Sequence, residues 1–212
     1  MTEHSFGRDF QGAFESLLAW RRDVRHFKTD PVPVELVDHL LDLTCLAPSV
    51  GNAQPWRFVS VDDPARRDGI IENFSHANAA ALAHYDGERA ELYARLKLAG
   101  LREAPRHFAV FCDEATEQGA GLGRLTMPET LRYSTVLAIH TLWLAARARG
   151  LGLGWVSIID PAAATTALDV PAGWRFVAYL CLGFPAENHL EPELQRTGWQ
   201  ARTALCRQVL QR

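Results

Sequence analysis

The chain has 212 residues, 48% of them hydrophobic, which is enough for one domain with a well-buried core. Twenty-two Lys and Arg stand against 25 Asp and Glu, a formal net charge of −3. That balance argues against a general polyanion-binding surface and so against nucleic acid as a partner, and any cluster of arginines must act locally.

In chain order, the opening MTEHSFGRDF mixes acids, His and Arg and lacks the apolar run of a secretory signal. No stretch reaches the length of a membrane span, so a cytoplasmic protein without membrane contact is expected. Residues 11–22 read as a helix ending in the basic run RRDVR, and 33–46 as a second, with Leu36, Leu40 and Leu43 at helical spacing. APSVGNAQPW then breaks the periodicity as an exposed loop before a strand over 57–63. A helix starts at Pro64, another is expected over 88–103, and HFAVFCD reads as an apolar strand covered on both faces. Residues 113–128 are Gly-rich and loop-like. The longest helix is expected over 129–149, a core helix with Tyr133, Val136, Leu137, His140 and Leu144 on one side. GLGLG ends it, WVSIID is a strand, PAAATTAL a short helix and RFVAYLCLGFP the most buried strand. No repeat, charged run or linker divides the chain.

Each motif has a plain structural reading beside a functional one. Gly150, Gly152 and Gly154 suggest a dinucleotide loop, but a helix precedes them and a strand follows, the reverse of what that loop requires. Gly150 as a left-handed helix cap is preferred, with Gly154 able to bring backbone close to a flat ligand. RRDVR is either a solvated helix end, where the dipole favours cations, or a phosphate clamp of planar guanidinium forks with Asp23 facing elsewhere. Ser49, Asn52 and Gln54 put polar groups on a Pro/Gly-punctuated loop. Ser157 lies within the apolar strand, more simply satisfied by backbone than catalytic. His140 reads as a packed core or interface histidine. The four cysteines, Cys45, Cys112, Cys181 and Cys206, form no C-x-x-C pair, and no His or carboxylate cluster has ligand spacing, so free thiols and no metal are expected.

Three stretches together, RRDVR…F, APSVGNAQPWRF and LWLAARARGLGLGWVSIIDP…VAYLCLGFP…EPELQRTGW, resemble the nitroreductase superfamily of FMN proteins. More narrowly they resemble its 5,6-dimethylbenzimidazole synthase family, which makes the lower ligand of vitamin B12. Alternation of helices and strands alone suggests a doubly wound domain. The resemblance instead implies an α+β fold with a mixed central sheet surrounded by helices, one FMN-binding domain over 1–212, and an intertwined homodimer. Residues 1–10 would be an N-terminal extension and 186–212 a tail packed on the partner subunit. It further implies that reduced FMN is substrate as well as ligand, cut apart with O2 to dimethylbenzimidazole and erythrose 4-phosphate. Arg21, Arg22, Arg25 and Arg202 would hold the phosphate and ribityl chain, with Val24 beside them. Pro48, Ser49, Val50, Asn52 and Gln54 would line the flavin, as would Gly154, Trp155 and Val156. Asp23 would act near the ribityl C1′ and Ser157 near the ring, and 84–103, including Lys97, would form a lid.

Asn52 and Ala53 stand where that narrower family usually has a bulky apolar pair, and Leu131 where it commonly has an acid. They keep two other functions in view: an NAD(P)H-dependent reductase of nitro or quinone substrates, and a non-catalytic flavin-binding dimer. A separate flavin reductase would supply reduced FMN under the first reading.

Overall fold

Period-two alternation in two strands organises the molecule. In β4 (Trp174–Gly183), Ala178, Leu180 and Leu182 face one way and Tyr179 and Cys181 the other; in β2 (Arg106–Asp113), Phe108 and Val110 oppose Ala109 and Phe111. All of these are buried, so both faces of the sheet must be covered. The computed structural model describes residues 5–203 and 207–212 and shows how. Against the first face pack α2 (Val34–Thr44) and α5 (Thr130–Arg147), through Val37, Leu40, Ile139 and Leu142. Against the second lie α3 (Pro64–Leu82) and α6 (Pro161–Leu168), through Ile70, Ala164 and Leu168, with Leu101 and Ala104.

Two outer strands, β1 (Trp56–Ser60) and β3 (Gly152–Val156), complete a four-stranded sheet of order β1-β2-β4-β3. All its ladders are antiparallel, which corrects the expected mixed sheet; among the described residues the parallel component is the isolated bridge between Asp23 and Leu153. Helix and strand alternation did not settle strand direction: the crossovers from β1 to β2 and from β3 to β4 return antiparallel, whereas β2 and β3, joined through α5, run the same way but are separated by β4. α3 and α6 begin on the same Asp-Pro-Ala signature: Asp63 accepts from Ala65 N at 2.7 Å, Asp160 from Ala162 N at 2.8 Å, and a proline occupies each first turn.

α4 (Gly87–Arg95) is shorter than the helix expected over 88–103. The chain leaves it to send Leu101 and Ala104 into the core, and Gly100 passes so close to Phe27 that a Cβ there would lie 2.5 Å from its ring. α5 is a core helix through Leu131, Ser134, Thr135, Ala138, Ile139, Leu142 and Ala146, not through the face expected. Tyr133, Val136, Leu137 and His140 are exposed. The helix is apolar on two sides, and the pattern alone did not say which one the sheet would cover. α1 (Arg8–Trp20) buries no residue and carries a ladder of stacked rings, Phe6 on Phe10 at 4.4 Å and Phe10 on Phe14 at 6.3 Å. α7 (Glu193–Arg196) lies in the tail. Among the described residues no helix is long and apolar enough to cross a membrane. Cys45, Cys112 and Cys181 are free thiols; Cys206 lies outside the described residues.

Candidate active site

One edge of β3 pairs with β4; the other is met by the segment that follows α1. Val24 N donates to Leu153 O at 3.1 Å, and the next strand N–H, that of Trp155, is accepted at 2.9 Å by Asp23 Oδ1. The carboxylate thus stands in for a strand carbonyl, satisfying an edge donor that would otherwise be orphaned. Two glycines permit the approach. A Cβ at Gly152 would come within 2.7 Å of Val24 Cγ2, and one at Gly154 would run into the Val24 carbonyl oxygen. The close approach at Gly154 is to the chain's own backbone, the Val24 carbonyl.

Asp23 Oδ2 accepts from Arg25 Nε at 2.8 Å, and Arg25 Nη1 reaches Lys97 O at 3.3 Å. The Arg25 side chain is only 14% exposed and is committed to holding the acid, so its task differs from that of its neighbours. Burial pushes the Asp23 carboxyl above its ordinary value, against the opposing pull of Arg25 and of the Trp155 N–H. Such a carboxylate is a better base than a solvated one.

Beside it the charge is cationic. The Arg21 guanidinium lies 4.8 Å from the centre of the Trp143 ring, and Trp143 Nε1 donates to Arg22 O at 3.2 Å. Arg22 Nε donates to Leu190 O at 2.6 Å and Nη1 to Arg21 O at 2.9 Å. Arg202 is tethered through its N–H to Gln195 Oε1 at 3.0 Å. Burial lowers the pKa of Arg21 and of Arg22; repulsion from Arg202 lowers both further, and Arg21 adds to the effect on Arg22. Three guanidinium groups within electrostatic reach of one another are disposed to accept a multiply charged anion, and a phosphomonoester fits them.

Ser157 falls one residue past β3, exposed beside Trp155 and Val156, not inside the strand as expected. The burial needed of a strand interior ends at Val156, where the chain turns toward α6. Lys97 Nζ pairs with Glu103, leaving its backbone carbonyl to serve Arg25. His140, expected to be a packed core or interface histidine, is not in the core but exposed in the single chain; the burial it retains, with Arg21 nearby, lowers its pKa.

The loop of Pro48, Ser49, Val50, Asn52 and Gln54 is elsewhere. It leads into β1, at the opposite edge of the sheet, and is pinned by Val50 N to Ser134 Oγ at 3.0 Å and Gln54 N to Ser49 Oγ at 3.1 Å. Ser134 and Trp143 lie near opposite ends of α5, about 14 Å apart along the helix. Gly51, Asn52 and Gln54 all have positive φ, at 54°, 55° and 44°. Only glycine adopts that region without strain, so the loop is held by its surroundings. Gln118 Nε2 supplies part of that hold, reaching Asn52 O at 2.9 Å and Gln54 Oε1 at 3.0 Å. A single chain therefore assembles Arg21 through Arg25 with residues 153–157 and Arg202, and does not bring the loop to them.

Sequence reasoning missed Trp143, Gln195 and Glu193, whose carboxylate accepts from His26 Nε2 at 3.1 Å and whose charge helps raise the Asp23 pKa. The motif EPELQRTGW contained two of them, but no spacing rule pointed from it to Asp23.

A model of the nitroreductase family matches residues 18–184. The chain is 64% identical over 197 residues, 93% of each sequence, to the 5,6-dimethylbenzimidazole synthase of Rhodospirillum rubrum. It is 50% identical over 196 residues, 92% of this chain and 95% of the relative, to a protein of the same name from Rhodobacter capsulatus. A solved structure of oxidized iodotyrosine deiodinase bound to FMN and 3-iodo-L-tyrosine superposes with a TM-score of 0.73 at 25% identity, over 93% of this chain and 98% of that one. The chain belongs to the nitroreductase family.

Proposed function

We propose that the chain is a 5,6-dimethylbenzimidazole synthase, an oxidoreductase that takes reduced FMN as substrate and, with O2, cuts it to dimethylbenzimidazole and erythrose 4-phosphate. Near-full-length likeness to two synthases supports the reading. The observation that carries it is the setting of Asp23: one acid of raised pKa, fixed by two hydrogen bonds beside three arginines suited to a phosphate.

Bound reduced FMN supplies the electrons for oxygen and the dimethylated ring that becomes the product. The chain supplies the rest. Arg21, Arg22 and Arg202 hold the phosphate, and Arg25 holds Asp23 so that its carboxylate meets the ribityl chain and takes a proton from carbon there. Val156 is buried in the core beneath the end of β3, Trp155 anchors Asp23 through its backbone N–H, and the exposed Ser157 hydroxyl just beyond orients the ring by hydrogen bonding. Residues 84–103, anchored through Lys97 O on Arg25, exclude water.

The loop at Pro48–Gln54 belongs in this scheme to the site of a second copy. Tyr133, Val136 and Leu137 on α5 are 56%, 40% and 45% exposed, an apolar face of the kind that homodimers bury, and Phe10 and Phe14 of α1 add to it. A homodimer places the loop of one copy against the arginine corner of the other.

Asp23→Asn tests the chemistry. The amide oxygen can still accept from Trp155 N, so fold and FMN affinity should persist within about threefold, while product formation with FMN, NADH, a flavin reductase and air falls at least about 100-fold. Chromatography for dimethylbenzimidazole reads the outcome; a wild-type protein that releases only peroxide would refute the assignment. Asn52, in place of a bulky apolar residue, favours a second reading as an NAD(P)H-dependent reductase. Rapid direct reduction of bound FMN by NAD(P)H in stopped flow would select it.

A further inference from the structure

The tail motif EPELQRTGW does more than reach the site. After α7 the chain reverses at Gly198, whose φ of 79° suits glycine, and Trp199 N donates back to Leu194 O at 2.8 Å. The indole then meets α4 and the turn before it. Arg89 Cζ lies 3.8 Å from the Trp199 ring centroid and Arg89 Nη1 donates to Trp199 O at 3.0 Å. Tyr85 and Tyr93 stack on each other at 5.0 Å and present to Trp199 at 5.4 and 5.9 Å, the first edge-on. Tyr93 Oη donates to Asn78 Oδ1 at 2.8 Å, which fastens the aromatic group to α3.

On the other side of Trp199, three residues on, stands Arg202. Its tether to Gln195 is an exposed hydrogen bond, and Arg21 and Arg22 both repel it. One neutral hydrogen bond exposed to water holds little, and like charges at close range oppose it, so the position needs a firmer anchor. Among the described residues, the stacked guanidinium and the two tyrosines around Trp199 are the apolar and cation–π contacts nearest to it along the chain.

We propose that Trp199 is a positioning residue: clasped by Arg89, Tyr85 and Tyr93, it fixes the tail against α4 so that Arg202 is held at the anion site. The proposal rests on the phosphate of FMN occupying that corner. Its consequence is that the segment from Tyr85 to Tyr93 and the grip on phosphate form one unit, and loosening one loosens the other.

The test is a flavin titration, followed by fluorescence, comparing FMN with riboflavin, which lacks the phosphate. The intact protein should prefer FMN. Trp199→Leu should weaken FMN binding about tenfold and leave riboflavin unchanged, and Trp199→Phe, which keeps a ring, should recover most of the loss. In an Arg202→Gln background, Trp199→Leu should have no further effect, a non-additivity that a merely structural role would not produce. Trp199→Leu weakening both flavins equally, or keeping the wild-type preference, overturns the clasp. An intact protein with no preference for FMN overturns instead the phosphate assignment beneath it. Arg89→Gln gives the same reading without removing a large side chain.

Discussion

The corner around Asp23 and the loop around Asn52 lie at opposite edges of one sheet and are built by opposite means. The corner is dense in charge, and its geometry is closed by the chain itself: Asp23 satisfies Trp155 N, Arg25 satisfies Asp23, and Lys97 O satisfies Arg25. The loop carries little charge and owes its shape to backbone held at positive φ, with exposed Leu122, Leu125 and Met127 in the Gly-rich segment that packs against it. One region offers electrostatics without enclosure, the other shape without charge. Under the proposed function, a ligand that needs both is met by two copies.

The sharpest way to break that comparison is complementation. A chain carrying Arg22→Glu and a chain carrying Gln54→Glu should each be inactive alone. Refolded together they form hybrids in which one site of two is intact, restoring about a quarter of wild-type product formation. No restoration would mean that both regions serve a site within one chain, or none.

The next effect is local to the corner. Gly154→Ala places a methyl group against the Val24 carbonyl, and backbone cannot yield as a flexible side chain would. Unfolding in urea should show a loss of about 4 kcal/mol, with FMN binding lost as the Asp23 segment lifts from β3. A change under about 1 kcal/mol would show that the strand edge is looser than drawn.

A smaller effect depends on pH and falls on the root of the same region. His107 is 1% exposed, set between the Tyr179 hydroxyl at 2.9 Å and Ala104 O at 3.1 Å. Neutral, it donates to the carbonyl and accepts from the phenol. Burial, reinforced by Arg67, lowers its pKa from 6.5 to about 4. Between those values the unfolded chain binds a proton that the folded chain refuses, so stability falls as the pH drops through that window, by about 3 kcal/mol in total. Denaturant midpoints from pH 7 down to 4 measure it. His107→Gln, which keeps one donor and one acceptor, should flatten the slope.

Much of this was legible in the residues. The helix starts at Pro64 and Pro161, the left-handed Gly150 and the doubly covered strands all follow from local chemistry. The arginine cluster was visible as a run, because consecutive charges after an aromatic residue are conspicuous. Ser157 was placed inside a strand because its neighbours are apolar, and a hydrophobic run does not show where pairing stops. The outer face of α5 reads as core from the sequence for the same reason: a helix that packs on a sheet on one side and has an apolar face on the other looks alike on both.

What the sequence determined by itself is therefore what depends on neighbours along the chain: turns, caps, periodicities, and the density of charge at residues 21–25. Only the tertiary structure decided which side of α5 faces the sheet, that all strand ladders run antiparallel, that Asp23 completes the edge of β3, and that Trp199 packs on α4 while Arg202 comes within reach of Arg21 and Arg22. Those choices rest on contacts between residues far apart in the sequence, from strand partners such as Ala109 and Tyr179 to Asp23 against Trp155, where packing and burial select among arrangements that local propensity leaves equal in energy.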